Sequence, residues 1–396
     1  MMKRLIAAVL VLAACGGTEA DRRPTSTVAD TVPPASAPLA STTPTTAPAS
    51  VSTSAPSTID TEWFDRVVLG DTVGQGASDV QAAVVRDGEV VHQIALSASS
   101  SLAPVTVKSR FRIASISKVA TAMAVMRLVE DGVMSLEDRP LAEVAGRLGF
   151  TLGDPRMNDV TVFQLLSHTS GLASVQDYFF DSPDLDTDRL LTATLSAPLA
   201  DQPGRQFTYS NTNFVILGRL VGWRTGANWE GGTHQLVLDP LGLNGWTVGR
   251  TSESEDGDAK YAPEPDRNYM ELLEASGAWI ASATQTALLV DALGRGTVFR
   301  SPATSRMMLQ PSSTGPPDED WTYGLGVRIF AGGLWGHSGT LENVHDMVVW
   351  LPDGTVVCVL VNGTEPSDSD RLIDTIRRAL NPEPSVGSIA PSTSVG

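Results

Sequence analysis

The chain changes pattern three times along its length. Residues 18 to 58 carry almost no large apolar side chains. Stretches such as "PASAPLASTTPTTAPASVSTSAPS" cannot bury enough surface to offset the entropy of ordering. From Ile59 onward, apolar residues recur with regular periods. "TEWFDRVVLG" reads as a helix. "VQAAVVRDGEVVHQIAL" holds two β-rich runs around Asp87-Gly88, a hairpin signal. In "RFRIASISKVATAMAVM" the apolar positions Ile116, Val119, Met123 and Met126 keep a helical period, with alanines between them. That pattern suits a helix running through a core.

Residues 137 to 275 read mainly as helices and loops, with "TVFQLLSH", "TDRLLTATL" and "NTNFVILGRLVGW" as helical segments. From 276, "SGAWIASATQTALLVDALGRG" reads as a further helix. "YGLGVRIF", "LWGHSG", "HDMVVWLP" and "TVVCVLVNG" read as strands, and "DRLIDTIRRAL" as a last helix. Strands joined by tight turns pair antiparallel, and the N-terminal hairpin can complete the same sheet. The expected fold class is α+β: an α/β sandwich whose antiparallel sheet is flanked by helices, with an inserted helical lobe at about 137–275. The expected body spans 60–382, followed by a polar tail at 383–396. A cleft between sheet and lobe is the natural place for a site.

The N-terminus changes the picture of location. Lys3 and Arg4 precede the apolar run Leu5 to Ala14, which is too short for a permanent membrane span. Leu12-Ala13-Ala14-Cys15 resembles the lipobox of bacterial lipoproteins. The resemblance implies a signal peptide at 1–14, a lipidated Cys15 and an extracytoplasmic protein held at the cell membrane. Residues 15–59 would then be a tether, reaching about 120 Å if fully stretched.

Composition excludes several functions. The 396 residues carry a formal net charge of -17, with a pI near 4.6. An acidic surface repels phosphate backbones, so no nucleic-acid partner is expected. The two cysteines, Cys15 and Cys358, form no CxxC pair or Cys/His cluster. No metal and no cofactor are therefore called for. Cys358 reads as a buried strand residue.

Candidate chemistry begins at Ser115 and Lys118. The chain has 24 arginines and four lysines, yet it places a lysine on the first turn of the most apolar helix. Positions i and i+3 share a helix face, about 4.5 Å apart along the axis. Desolvation disfavours the ammonium form, and a neutral lysine can take a serine proton. Arginine could not, because it stays protonated. The spacing alone is unspecific and needs partners. Tyr209, Ser210 and Asn211 stand just before a helix in "PGRQFTYSNTNFVILG". His337, Ser338, Gly339 and Thr340 stand in "LWGHSGTLENV".

Together these segments resemble the three motifs of penicillin-recognising serine hydrolases: S-x-x-K, then S-D-N or Y-x-N, then K-T-G or H-T-G. The resemblance is to the class C branch, which includes class C β-lactamases, D-alanyl-D-alanine carboxypeptidases and β-lactamase-like esterases. "FRIASISK", "LLSHTSGL", "FTYSNTNF" and "YGLGVRI" extend it over about residues 60 to 380. It implies a β-lactamase/transpeptidase-like fold. It also implies Ser115 as acylated nucleophile, Lys118 as its base and Tyr209 as second proton-transfer group. Asn211, His337, Ser338, Gly339 and Thr340 would bind substrate. Backbone N–H groups of Ser115 and Thr340 would form the oxyanion hole, and His337 and Ser338 would hold the substrate carboxylate.

His337 stands where the motif usually has lysine. A histidine is only partly charged at neutral pH, which weakens carboxylate capture. His168 reads as structural, capping or hydrogen-bonding a turn; His92, His234 and His345 read as structural or surface residues, and Trp335 as either a cleft or a packing residue. The leading expectation is a D-alanyl-D-alanine carboxypeptidase-type hydrolase acting on peptidoglycan stem peptides. A β-lactamase or an esterase acting on a small ester is the alternative. A catalytically silent cell-wall sensor is the alternative of a different class. Loops 174–188 and 250–268 would set specificity.

Overall fold

The computed structural model describes residues 59–316 and 319–382. The signal peptide, Cys15 anchor and tail lie outside the described residues, as does the tether up to residue 58. The strands are β1 (Asp79–Arg86), β2 (Glu89–Ser97), β3 (Phe111–Arg112), β4 (Thr247–Val248) and β5 (Trp279–Ala281). Then follow β6 (Trp321–Tyr323), β7 (Arg328–Phe330), β8 (Trp335–Leu341), β9 (Val344–Trp350) and β10 (Thr355–Asn362).

Strand β10 explains the layering. It is buried along its whole length. Val357, Val359 and Val361 join Phe64, Val68, Leu372 and Ile376 on one side. Val356, Cys358 and Leu360 face the other core. A strand apolar on both faces must be central and covered twice. Accordingly the main sheet runs β2-β1-β10-β9-β8-β7-β6, and every pair is antiparallel. Helices Thr61–Asp71 and Arg371–Leu380 cover one face. Helix Ala283–Arg295 packs on the other, against β1, β9 and β10. The fold is the expected α/β sandwich. Between β3 and β5 the chain is mainly helical, including Val162–Leu166, Thr187–Ser196 and Asn211–Thr225.

Two segments differ from the sequence expectation. The helix expected from 276 begins only at Ala283, where Ser282 caps it by accepting from Gln285 N–H. The preceding Trp279-Ile280-Ala281 is strand, paired with β3 and β4 in a small second sheet. Burial of Trp279 and the pairing register outweigh the helical run that follows it. "YGLGVRIF" is likewise split, because Gly324 to Val327 turn between β6 and β7. At Gly326 (φ 80°) a side chain would lie 2.3 Å from Ala122 Cβ. Glycine there lets this turn touch the helix that carries Lys118.

Candidate active site

The small sheet delivers the nucleophile segment. Strand β3 leads into Ile113, whose N–H donates to Trp279 O at 3.1 Å. Ala114 then takes a left-handed φ of 45°, a costly conformation for alanine. Ile113 and Ile116, both fully buried, hold it in place. Ser115 follows in a single 3-10 turn, Ala114–Ile116, and the α-helix Ser117–Glu130 continues from it.

Lys118 is fully buried. Its Nζ lies 3.0 Å from Ser115 Oγ, 2.9 Å from Asn211 Oδ1 and 2.8 Å from Ser276 O. Asn211 Oδ1 and the Ser276 carbonyl can only accept; the serine hydroxyl can also donate. A neutral amine has two N–H donors and one lone pair. Two donors to the two acceptors leave the lone pair for Ser115 O–H. Burial first, and the Arg328 charge second, hold the Lys118 pKa well below its ordinary 10.5. Three accepting oxygens would suit an ammonium as well; it is full burial that favours the neutral amine, whose lone pair can then face the serine.

Asn211 opens the helix Asn211–Thr225, and Tyr209 lies two residues before it. Lys118 Nζ sits 4.9 Å from the Tyr209 ring centroid. The Tyr209 hydroxyl is buried without a hydrogen bond of full geometry among the described residues. Burial pushes its pKa up to about 12, while Arg328 and the facing Ser115 draw it down. His168 supports this corner from below. Its Nδ1 accepts from Ser210 N–H at 3.3 Å and from Asn213 Nδ2 at 3.1 Å. Its ring lies 4.3 Å from that of Tyr209. Hydrogen-bonding a turn is the structural role its sequence position suggested.

Strand β8 brings the third motif alongside. A Cβ on Gly339 would fall 2.5 Å from Ile113 O, so glycine permits β8 to lie against the chain entering Ser115. Ser338 is buried and Thr340 exposed. The Thr340 hydroxyl bonds Ser369 Oγ at 2.7 Å.

His337 requires a correction. The sequence suggested a partly charged, substrate-facing imidazole; the ring is fully buried. Its Nδ1 meets the Ser338 carbonyl at 2.7 Å, so Nδ1 carries the proton. Nε2 then accepts from Tyr323 O–H at 3.0 Å. Burial first, then the Arg328 charge, holds its pKa well below 6.5, against a smaller opposing effect of the Ser338 carbonyl. The imidazole is neutral at physiological pH and its two nitrogens are occupied. It does not serve as a cation for a carboxylate. Trp335 resolves to packing: it stacks on Trp350 across β9, centroids 5.6 Å apart.

Sequence reasoning passed over Tyr323 and Arg328, although both sit in or beside the phrase "YGLGVRI". Tyr323 fixes the His337 tautomer. Arg328 Nη1 pairs with both oxygens of Asp370, at 2.9 and 3.0 Å. Its charge acts on Lys118, His168, Tyr209 and His337. What the arrangement offers is an uncharged base beside a serine, a neutral phenol and a cation set back on β7.

Comparison with known proteins bears on the family and the fold. The Beta-lactamase family model matches residues 64–381. The chain is 36% identical to Penicillin-binding protein 4 of Amycolatopsis lactamdurans over 143 residues, 35% of this chain and 36% of that one. It is 34% identical to Esterase EstB of Burkholderia gladioli over 177 residues, 41% of this chain and 45% of that one. These matches span less than half the length of either relative. A D-stereospecific amidohydrolase from Streptomyces sp. superposes with a TM-score of 0.66 at 22% identity, covering 80% of this chain and 98% of that one. That last likeness concerns the fold.

Proposed function

Because the chain belongs to the beta-lactamase family, a family of hydrolases, we propose that it forms an acyl-enzyme on Ser115 and hydrolyses neutral carboxylic esters and related amides. The observation that carries this reading is the full burial of Lys118, which favours the neutral amine, with its Nζ 3.0 Å from Ser115 Oγ. In the proposed first step Ser115 Oγ bonds to the acyl carbon and its proton passes to Lys118 Nζ. The oxyanion faces the N–H groups of Ser115 and Thr340, and its stabilisation is the largest contribution. On collapse the leaving group takes a proton from Tyr209, which recovers one from Lys118. Water then attacks the acyl-enzyme by the reverse proton path. Asn211 steadies Lys118 throughout.

Neutral His337 separates the substrate classes. A carboxylate-bearing peptide would gain no cation from His337 in the third motif. Neutral esters need none. The second reading is a D-alanyl-D-alanine carboxypeptidase acting on stem peptides; the cation on β7, Arg328, is held by both oxygens of Asp370 and would have to be shared with a substrate carboxylate. β-Lactam turnover would draw on the same charge.

Parallel turnover of p-nitrophenyl acetate, a cephalosporin and an acylated D-Ala-D-Ala peptide tests the choice. The reading expects the ester to lead, with the acyl adduct on Ser115 by mass spectrometry. Faster release of D-alanine than of nitrophenol would favour the carboxypeptidase. No adduct from any of them would favour the silent sensor. The proposed location is the outer face of a bacterial membrane, through lipid on Cys15. Cys15→Ala should move the protein to the aqueous phase in detergent partitioning; equal partitioning with and without Cys15 counts against an anchor.

A further inference from the structure

The segment between β10 and the helix Arg371–Leu380 belongs to none of the three motifs, yet it touches the third. Ser369 in that segment is buried, 2% exposed. Its Oγ donates to the Gly339 carbonyl at 2.9 Å and lies 2.7 Å from the Thr340 hydroxyl. A serine has one hydrogen to give, and a carbonyl can only accept. The Ser369 hydrogen therefore goes to Gly339 O, and the Thr340 hydroxyl donates to Ser369 Oγ. A directed chain results: Thr340 O–H, Ser369 O–H, Gly339 C=O.

Both ends of the segment are fastened. Gly363 N–H donates to Asn343 O at 2.9 Å, in the turn that follows β8. Asp370, next to Ser369, holds Arg328 on β7 through both carboxylate oxygens.

The strand register shows what this chain acts on. Leu341 and Val344 pair across the two-residue turn Glu342-Asn343, so they exchange both backbone bonds. Bonded and non-bonded pairs alternate along an antiparallel ladder. Gly339 therefore bonds to Asp346, whereas Thr340, opposite His345, turns its N–H away from β9. On that side β7 pairs with Trp335 and Gly336 and goes no further. Thr340 N–H is thus left at an open edge of β8. Gly339 C=O and Thr340 N–H are the two ends of one peptide unit. A bond donated to the carbonyl polarises that unit and strengthens its N–H as a donor.

We propose that Ser369 is a positioning residue for the oxyanion hole: by donating to Gly339 O it fixes the Gly339–Thr340 peptide plane and strengthens Thr340 N–H as the donor that meets the oxyanion. The proposal rests on the acyl-enzyme reading. The Thr340 hydroxyl serves the same chain, by setting the direction in which Ser369 donates.

The test compares acylation rates by p-nitrophenyl acetate and by its thiono counterpart, in which sulfur replaces the carbonyl oxygen. Sulfur accepts hydrogen bonds weakly, so the thionoester draws little from the hole. Loss of a whole oxyanion donor costs about 10²–10³ in rate. Ser369→Ala only weakens one, so ester acylation should slow about fivefold, with the thionoester within about twofold of wild type. Thr340→Val should move the ester-to-thionoester ratio in the same sense by less, and it decides the matter if Ser369→Ala does not fold. An unchanged ratio, whether both rates hold or both fall together, overturns the proposal while the acyl-enzyme reading stands. No adduct on Ser115 from the ester in wild type overturns both.

Discussion

Lys118 Nζ lies 3.0 Å from Ser115 Oγ, and its two other partners, Asn211 Oδ1 and Ser276 O, have no hydrogen to give. The pair is thus arranged for a proton to travel from serine to lysine before any substrate arrives. Full burial makes the neutral amine the cheaper state, since desolvation disfavours charge.

This arrangement fixes a pH dependence with a definite sign. The unfolded chain keeps Lys118 protonated up to about pH 10, whereas the folded protein sheds that proton well below it. Between the two values the unfolded state binds more protons, so stability rises with pH. Urea denaturation across that interval should show the rise in wild type and its loss in Lys118→Met. Ester turnover should climb through the folded pKa of Lys118. It should then stay level until near 12, where Tyr209 ionises.

Tyr209→Phe should move stability and activity in opposite directions. The phenol is buried with no full hydrogen bond among the described residues, and such a group costs about 1–3 kcal/mol. Removing it should leave the melting temperature unchanged or raised. Acyl transfer should nevertheless fall by about 10²–10⁴, as for a lost proton-transfer group. A variant that loses stability and activity together would place Tyr209 in packing alone.

For His337, the prediction reverses what its identity suggests. Its pKa lies well below 6.5, so lowering the pH from 8 to 6 should not improve binding of carboxylate-bearing substrates over matched neutral ones. The measurement is KM for an ester pair differing only in one carboxylate. A gain confined to the charged member at pH 6 would show an imidazolium in contact with substrate.

Local spacing made part of this site legible. The i, i+3 relation of Ser115 and Lys118 needs only helical geometry, and the unbroken apolar run of "TVVCVLV" needs only a strand covered on both faces. Long-range contacts were not legible. Whether His337 is charged depends on a ring turned into the core and on Arg328, and its tautomer on Tyr323, fourteen residues earlier. Strand β5 depends on pairing with β3 and β4, far away in sequence, and local pattern extended the following helix over it.

Lys118→Arg tests the central claim most directly. Arginine keeps a cation and much of the length but cannot act as a base near neutral pH. The quantity to measure is the rate at which an activated ester acylates the protein, with mass spectrometry locating the adduct. The account predicts acylation of Ser115 slowed by at least about 10²-fold in a variant that still folds. Acylation at the wild-type rate, or an adduct on any residue other than Ser115, would contradict it.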